Sequence, residues 1–141
     1  MTAYDPSNVF AKILRGELPA HKVYETDRVL AFMDIMPRAD GHALVIPKVK
    51  ARTILDIPAD DLAELIKAVQ QVAKASKQAF GADGITIQQF NESAGGQIVF
   101  HLHFHVIPRH EGTSMRPHTG QMADQAVLAA NAEKLRAALA G

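Results

Sequence analysis

The stretch Gln97-Ile-Val-Phe-His101-Leu-His103-Phe-His105-Val-Ile-Pro-Arg109 places three histidines at alternate positions in an apolar run. Extended backbone sends successive side chains to opposite faces. On a strand, His101, His103 and His105 therefore share one face, with Gln97 and Val99 ahead of them. Phe100, Leu102, Phe104 and Val106 share the other, which is wholly apolar and reads as core. A helix would scatter the three rings around its axis, so the spacing makes chemical sense on a strand that closes a core on one side and lines a site on the other.

Working outward, the flanking segments supply the partners such a strand needs. Val9 to Leu14 is a short apolar segment suited to one or two helical turns, ended by Gly16 and Pro19. His21 to Thr26 and Val29 to Asp34 read as the arms of a hairpin turning at Asp27-Arg28, and His42 to Pro47 as a third strand after the loop Pro37 to Gly41. A long helix follows. Pro58 lies near its start, with Asp60, Asp61 and Glu64 at the positive end of its dipole. Leu62, Leu65, Ile66, Val69, Val72 and Ala73 predict its buried stripe, and Gly81 its stop. Gly84 to Phe90 reads as a fourth strand, Asn91 to Gly96 as a polar loop, the histidine run as the fifth strand. Gly112 to Gly120 is irregular, and Asp124 to Leu139 is an Ala-rich closing helix. The order predicts an α+β domain spanning residues 1–141: a mostly antiparallel five-stranded sheet with one long helix and a C-terminal helix packed on one face.

Composition narrows the function. With 141 residues, 48% of them hydrophobic, the chain suits one core. Fifteen basic residues against fifteen acidic ones argue against a broad basic surface, so no nucleic acid partner is expected. A small anionic ligand needs only a few local donors. The absence of cysteine removes disulfides and thiolate chemistry. The first residues lack the basic-then-apolar pattern of a signal peptide, and no apolar run is long enough to span a bilayer, so the expectation is a soluble, cytoplasmic protein with no membrane association.

A row of imidazoles can ligate a metal, act as nucleophile, or be structural. Closed zinc sites usually add cysteine or carboxylates to histidine. Here there is no cysteine, and no acidic residue within the strand. Asn91, Gly95, Gly96 and Gln97 instead offer backbone N–H and amide donors, a set suited to phosphate oxygens. The flanks favour a phosphate ester or amide as substrate and an imidazole as attacker.

The run His101-Leu-His103-Phe-His105-Val-Ile resembles the signature of the histidine triad, or HIT, superfamily. Phe10-Ala-Lys-Ile with Gly16-Glu-Leu-Pro-Ala, Ala31-Phe-Met-Asp-Ile with Pro37, Gly41-His-Ala-Leu-Val-Ile-Pro-Lys, and Gly95-Gly-Gln-Ile-Val-Phe are similar to its other motifs, in the same order. The likeness is to the Hint-type and bacterial hydrolases. It implies a nucleotide-binding homodimer whose two sheets join, and a hydrolase of nucleoside 5′-phosphoramidates or dinucleoside polyphosphates, with a purine nucleotide as ligand and no cofactor. It implies attack on the α-phosphorus by His103 through a nucleotidyl-histidine intermediate, with His101, His105 and His42 as helpers. It implies a nucleoside pocket of Phe10, Leu18, Phe32, Asp34 and Ile35, with Asp34 on the ribose hydroxyls, and a phosphate side of Asn91, Gly96, Gln97 and Val99. A proton for the leaving group, a carbonyl near His101 or His42 to hold the nucleophile's tautomer, and a donor from His105 to a phosphate oxygen are the chemical requirements of that route.

Two departures stand out. Some bacterial relatives carry structural zinc from a Cys-x-x-Cys, a histidine after the third strand and the first triad histidine. The matching positions are Asn8, Ala11, Lys50 and His101, so no metal is expected. Relatives also often place Ser or Thr where this chain has Ile98, which keeps open a nucleotide-binding adaptor that turns over poorly. Outside the motifs, His110 and His118 read as surface residues, His21 as a strand-edge residue and Arg109 as a surface charge.

Overall fold

A computed structural model of the chain describes residues 3–117 and 121–141. Five strands, β1 (Lys22–Glu25), β2 (Val29–Met33), β3 (Ala43–Pro47), β4 (Gly84–Gln88) and β5 (Phe104–Arg109), form one sheet in the order β1-β2-β3-β5-β4. Every neighbouring pair is antiparallel. The helices are α1 (Val9–Leu14), α2 (Ala59–Ala79) and α3 (Gln125–Ala140). This is the expected α+β architecture.

β2 and β3 are buried along their whole length, which is why they read as continuous apolar runs. Val29, Ala31 and Met33 with Ala43 and Val45 face α2 and α3, while Leu30, Phe32, Leu44 and Ile46 face Phe10 and Ile13 of α1. The two long helices share a face, as expected, and α1 covers the other, because its Phe10 and Ile13 need the second apolar surface.

α2 starts after Pro58 with Asp60 and Asp61 in its first turn, and Asp61 accepts from Arg28 Nε at 3.1 Å, tying the hairpin turn to the helix start. Its buried positions are Leu65, Ala68, Val69, Val72, Ala75 and Ser76. Ile66, assigned to the stripe from sequence, is 45% exposed. Small residues hid the true stripe: Ala68 and Ala75 allow close approach to the sheet but carry little hydrophobic signal. The side chain of Asp124 caps α3 by accepting from Ala126 N at 2.8 Å.

β5 begins later than the histidine run suggests. Its ladder with β3 ends at the pair Val45 and Phe104, so His101 and His103 precede the strand. Continuing the register would set Leu102 opposite Pro47, which has no N–H to offer. Leu102 N instead donates to the Ala51 carbonyl at 2.9 Å. The face assignment survives this break: Leu102, Phe104 and Val106 lie in the main core. Phe100 does not. It is half-buried, with the Arg52 guanidinium 4.2 Å from its ring centre.

Gly41, just before β3, has φ +91°, and a Cβ there would meet the Phe80 ring at 2.5 Å. Gly41→Ala combines a disfavoured backbone with a clash at the end of α2. It is expected to lower stability by about 2–5 kcal/mol, read as a drop in denaturant midpoint.

Candidate active site

Four buried imidazoles meet where β3 and β5 run side by side, and their partners fix where each proton sits. His103 Nδ1 lies 2.7 Å from the carbonyl oxygen of His101. A carbonyl only accepts, so His103 carries its proton on Nδ1 and, when neutral, its lone pair on Nε2. His42 Nδ1 accepts from Arg38 N–H at 3.0 Å, so the His42 proton is on Nε2. That nitrogen is 2.9 Å from His105 Nδ1 and 3.5 Å from Asp34 Oδ2. His105 Nδ1 is thereby the acceptor, and its own proton sits on Nε2. His101 Nε2 donates to the Pro47 carbonyl at 2.8 Å, and its Nδ1 accepts from the Tyr4 hydroxyl at 2.6 Å. Burial pushes the His101 ring below the ordinary histidine range, against the smaller opposing pull of the Pro47 carbonyl. The rings of His103 and His105 are 5.0 Å apart, with Phe10 edge-on to His103 at 4.9 Å.

A cavity of about 680 Å³ opens on the α1 side of the sheet. Its wall carries the polar side chains of His42, His103, His105 and Asp34 and the apolar ones of Phe10, Leu18, Phe32 and Ile35. Gly96, Ile98 and Val99 form part of the wall. The structure thus brings together most of the residues singled out from sequence, in a space of ligand size. His101, Asn91 and Gln97 are not on that wall. The His101 ring is held between the Tyr4 hydroxyl and the Pro47 carbonyl. Asn91 Oδ1 accepts from Ile54 N at 2.9 Å, and its side-chain amide donates to Gln89. Gln97 is buried; it accepts from Glu92 N at 2.7 Å and donates to the carbonyls of Arg52 and Val99 at 2.8 and 3.0 Å. These amides brace the loop rather than face the cavity. The brace matters because Glu92 has φ +64°, and Arg52 grips its carboxylate at 2.9–3.1 Å.

Other residues line the cavity without a signal in the sequence. Arg38 borders it, and its Nε donates to the Arg116 carbonyl at 2.9 Å. His21 Nε2 is 2.8 Å from Gln125 Oε1, and both sit on the wall with Met122. His21 is therefore not a bare strand-edge residue. Nothing local relates it to a glutamine 104 positions later. His110 is exposed, as expected, with Nε2 3.2 Å from the Phe80 carbonyl. Arg109 uses its guanidinium on Thr86 Oγ1 and the Thr113 carbonyl. His118 lies outside the described residues.

The description of the HIT domain matches residues 15–112. The chain belongs to the HIT family. A HIT-like protein of Methanocaldococcus jannaschii is 46% identical over 104 residues, 74% of this chain and 80% of its own length. The adenosine 5′-monophosphoramidase of Saccharomyces cerevisiae is 38% identical over 110 residues, 78% of this chain and 67% of that protein. An adenylylsulfatase of Arabidopsis thaliana is 40% identical over 73% of this chain, which covers 52% of that protein. Among solved HIT structures, a HIT-like protein of Bartonella henselae superposes with TM-score 0.91 at 54% identity, covering 96% of this chain and 99% of that one. A zinc-bound histidine triad protein of Mycobacterium smegmatis gives TM-score 0.82 at 36% identity, covering 95% and 94%.

The residues of this HIT chain do not fit zinc at the position the resemblance suggests. Both ring nitrogens of His101 are engaged, by Tyr4 and Pro47. Asn8 Oδ1 caps α1, and Ala11 and Lys50 offer no thiolate or imidazole. Asp34, His42 and His105 form a second grouping, their ligand atoms within 4.8 Å of one another. The Arg38 N–H aimed at His42 Nδ1 keeps the proton on the Nε2 that a metal would need, so this grouping suits proton handling better than ligation.

His101 is held neutral in the folded chain, whereas an unfolded histidine binds its proton near pH 6.5. Its contribution is complete above that pH and is lost as pH falls toward its lowered folded value. The urea midpoint should therefore fall between pH 7.5 and pH 5. The fall should be shallower in His101→Asn; equal slopes would remove His101 as a cause.

Proposed function

We propose that the chain hydrolyses purine nucleoside 5′-phosphoramidates, or related nucleotidyl esters and anhydrides, through a nucleotidyl-histidine on His103. The observation that carries this reading is the bond from His103 Nδ1 to the His101 carbonyl. It directs the Nε2 lone pair of a buried ring, lining a nucleotide-sized cavity, toward an electrophile without any prior deprotonation. The names of the yeast monophosphoramidase and the plant adenylylsulfatase add support from relatives.

On this reading the base lies among Phe10, Leu18, Phe32 and Ile35, and Asp34 accepts from the ribose. His103 Nε2 attacks the α-phosphorus. The nitrogen–phosphorus bond forms as the bond to the leaving group breaks with its electron pair. The positive charge on the phosphorylated ring is held through Nδ1–H by the His101 carbonyl. An additional proton on the His42–His105 pair, offset by the Asp34 carboxylate 3.5 Å from His42 Nε2, passes from His105 Nε2 to the leaving group. The pair recovers it from the water that then attacks phosphorus and frees His103. The His105 N–H supplies a donor to the phosphate oxygens as charge builds, whereas the N–H groups of Gly95, Gly96 and Gln97, read from sequence as phosphate donors, are spent on the Glu92 and Ser93 carbonyls. The exposed edge strand β4, with Ile87 48% exposed, supports joining of two sheets in a homodimer.

A second reading, nucleotide binding with slow turnover, is favoured by one residue. Ile98 is 63% exposed on the cavity rim and brings no hydroxyl to the phosphate side.

His103→Ala should lose at least about a thousandfold in kcat while keeping fold and nucleotide affinity. Near-normal turnover of an adenosine or guanosine phosphoramidate by that variant would sink the nucleophile assignment. Oxygen-18 labelling should give net retention at phosphorus. Ile98→Ser should preserve or raise kcat; a large loss would remove the second reading.

A further inference from the structure

The nucleophile stands on backbone that the sheet does not hold. β5 pairs with β3 only from Phe104 onward, so residues 101–103 have no place in that ladder. Their main chain is tied by Leu102 N to the Ala51 carbonyl, at 2.9 Å. That bond fixes one peptide plane. The next determinant of the His101 carbonyl, which holds the His103 proton, is the His101 side chain itself. Its ring is clamped at both nitrogens: Nε2 donates to the Pro47 carbonyl at 2.8 Å, and Nδ1 accepts from the Tyr4 hydroxyl at 2.6 Å. Tyr4 also packs edge-on to that ring, centroids 5.6 Å apart and planes at 71°.

From this we infer that Tyr4 is a positioning residue for the reaction: its hydroxyl locks His101, and through the His101 carbonyl it holds His103 with Nδ1 protonated and Nε2 facing phosphorus. The direction of each bond follows from chemistry. The Pro47 carbonyl cannot donate, so His101 Nε2 must. His101 Nδ1 is then an acceptor, and the phenol O–H is the donor that satisfies it. Phenylalanine would keep the ring packing and remove the donor, leaving a buried imidazole nitrogen unmatched.

The residues that follow Tyr4 are anchored to α1. Asn8 Nδ2 donates to the Asp5 carbonyl at 2.8 Å, and Arg15 donates to the Pro6 carbonyl at 2.8 Å. The segment before α1 is thus bound to α1, which carries Phe10 of the nucleoside pocket. One short segment therefore links the base-binding wall to the tautomer of the nucleophile. The positions that would hold zinc in some relatives are occupied here by Asn8, Ala11 and Lys50, and the phenol takes the His101 nitrogen instead.

The inference rests on His103 as the attacking ring, and its test separates the two. Full-length wild type and Tyr4→Phe are compared in steady-state hydrolysis of an adenosine 5′-phosphoramidate, in AMP affinity, and by nitrogen-15 NMR of histidine-labelled protein without ligand. The expected result is a fall of about three- to tenfold in kcat, the size of one lost hydrogen bond, at unchanged KM and AMP affinity. The His103 nitrogens should move from a pure Nδ1–H signature toward a mixture of tautomers. Wild-type kcat in Tyr4→Phe would overturn the inference and leave the proposed function standing. So would a rise in KM that accounts for the whole effect. If the wild type hydrolyses no phosphoramidate, the proposed function falls. The NMR comparison then decides alone, and unchanged His103 signals would overturn the role of Tyr4.

Discussion

The hydrogen bond from His103 Nδ1 to the carbonyl two residues back joins the architecture to the chemistry. A side chain can reach its own main chain in this way only where that main chain is not committed to a neighbouring strand. Pro47 supplies the condition: it has no N–H, the β3–β5 ladder stops short of it, and the residues before Phe104 turn their polar groups inward. A reactive ring oriented by side chains alone would cost conformational entropy that a backbone acceptor avoids. Each of the four imidazoles has one nitrogen set by main-chain geometry or by a ring so set, and the site is preorganised before ligand arrives.

The sheet makes that site possible by being apolar on both faces. α2 and α3 bury one face in the larger of the two core clusters. α1 covers only part of the other, and the uncovered part is the cavity. Phe10 belongs both to the smaller core and to the cavity wall, so ligand binding completes a surface the fold leaves open.

Much of this was legible in the residues. Alternate spacing in 97–109 correctly assigned Leu102, Phe104 and Val106 to the core and gathered His103 and His105 on the other side. The apolar runs at β2 and β3 were legible because two covered faces leave no polar alternation. What escaped notice depended on contacts between distant segments. Sequence favours Ile66 over Ala68 because hydrophobicity says nothing about how closely a helix approaches a sheet. Asn91 and Gln97 carry the right donors, but the strained turn at Glu92 consumes them. Tyr4 bears no pattern at all; its bond to His101 exists because the segment before α1 crosses beside residue 101. The pairing of His21 with Gln125 likewise exists only once α3 returns to the sheet.

Ile98 stands on the rim with most of its surface in water and no share in either core. The loop around it is braced from behind by Gln97 and Arg52, not by Ile98. A change there alters the cavity rim without disturbing the scaffold. The rim of the cavity can thus be reshaped at this spot, one side chain at a time, while the buried imidazoles and their backbone partners stay as they are.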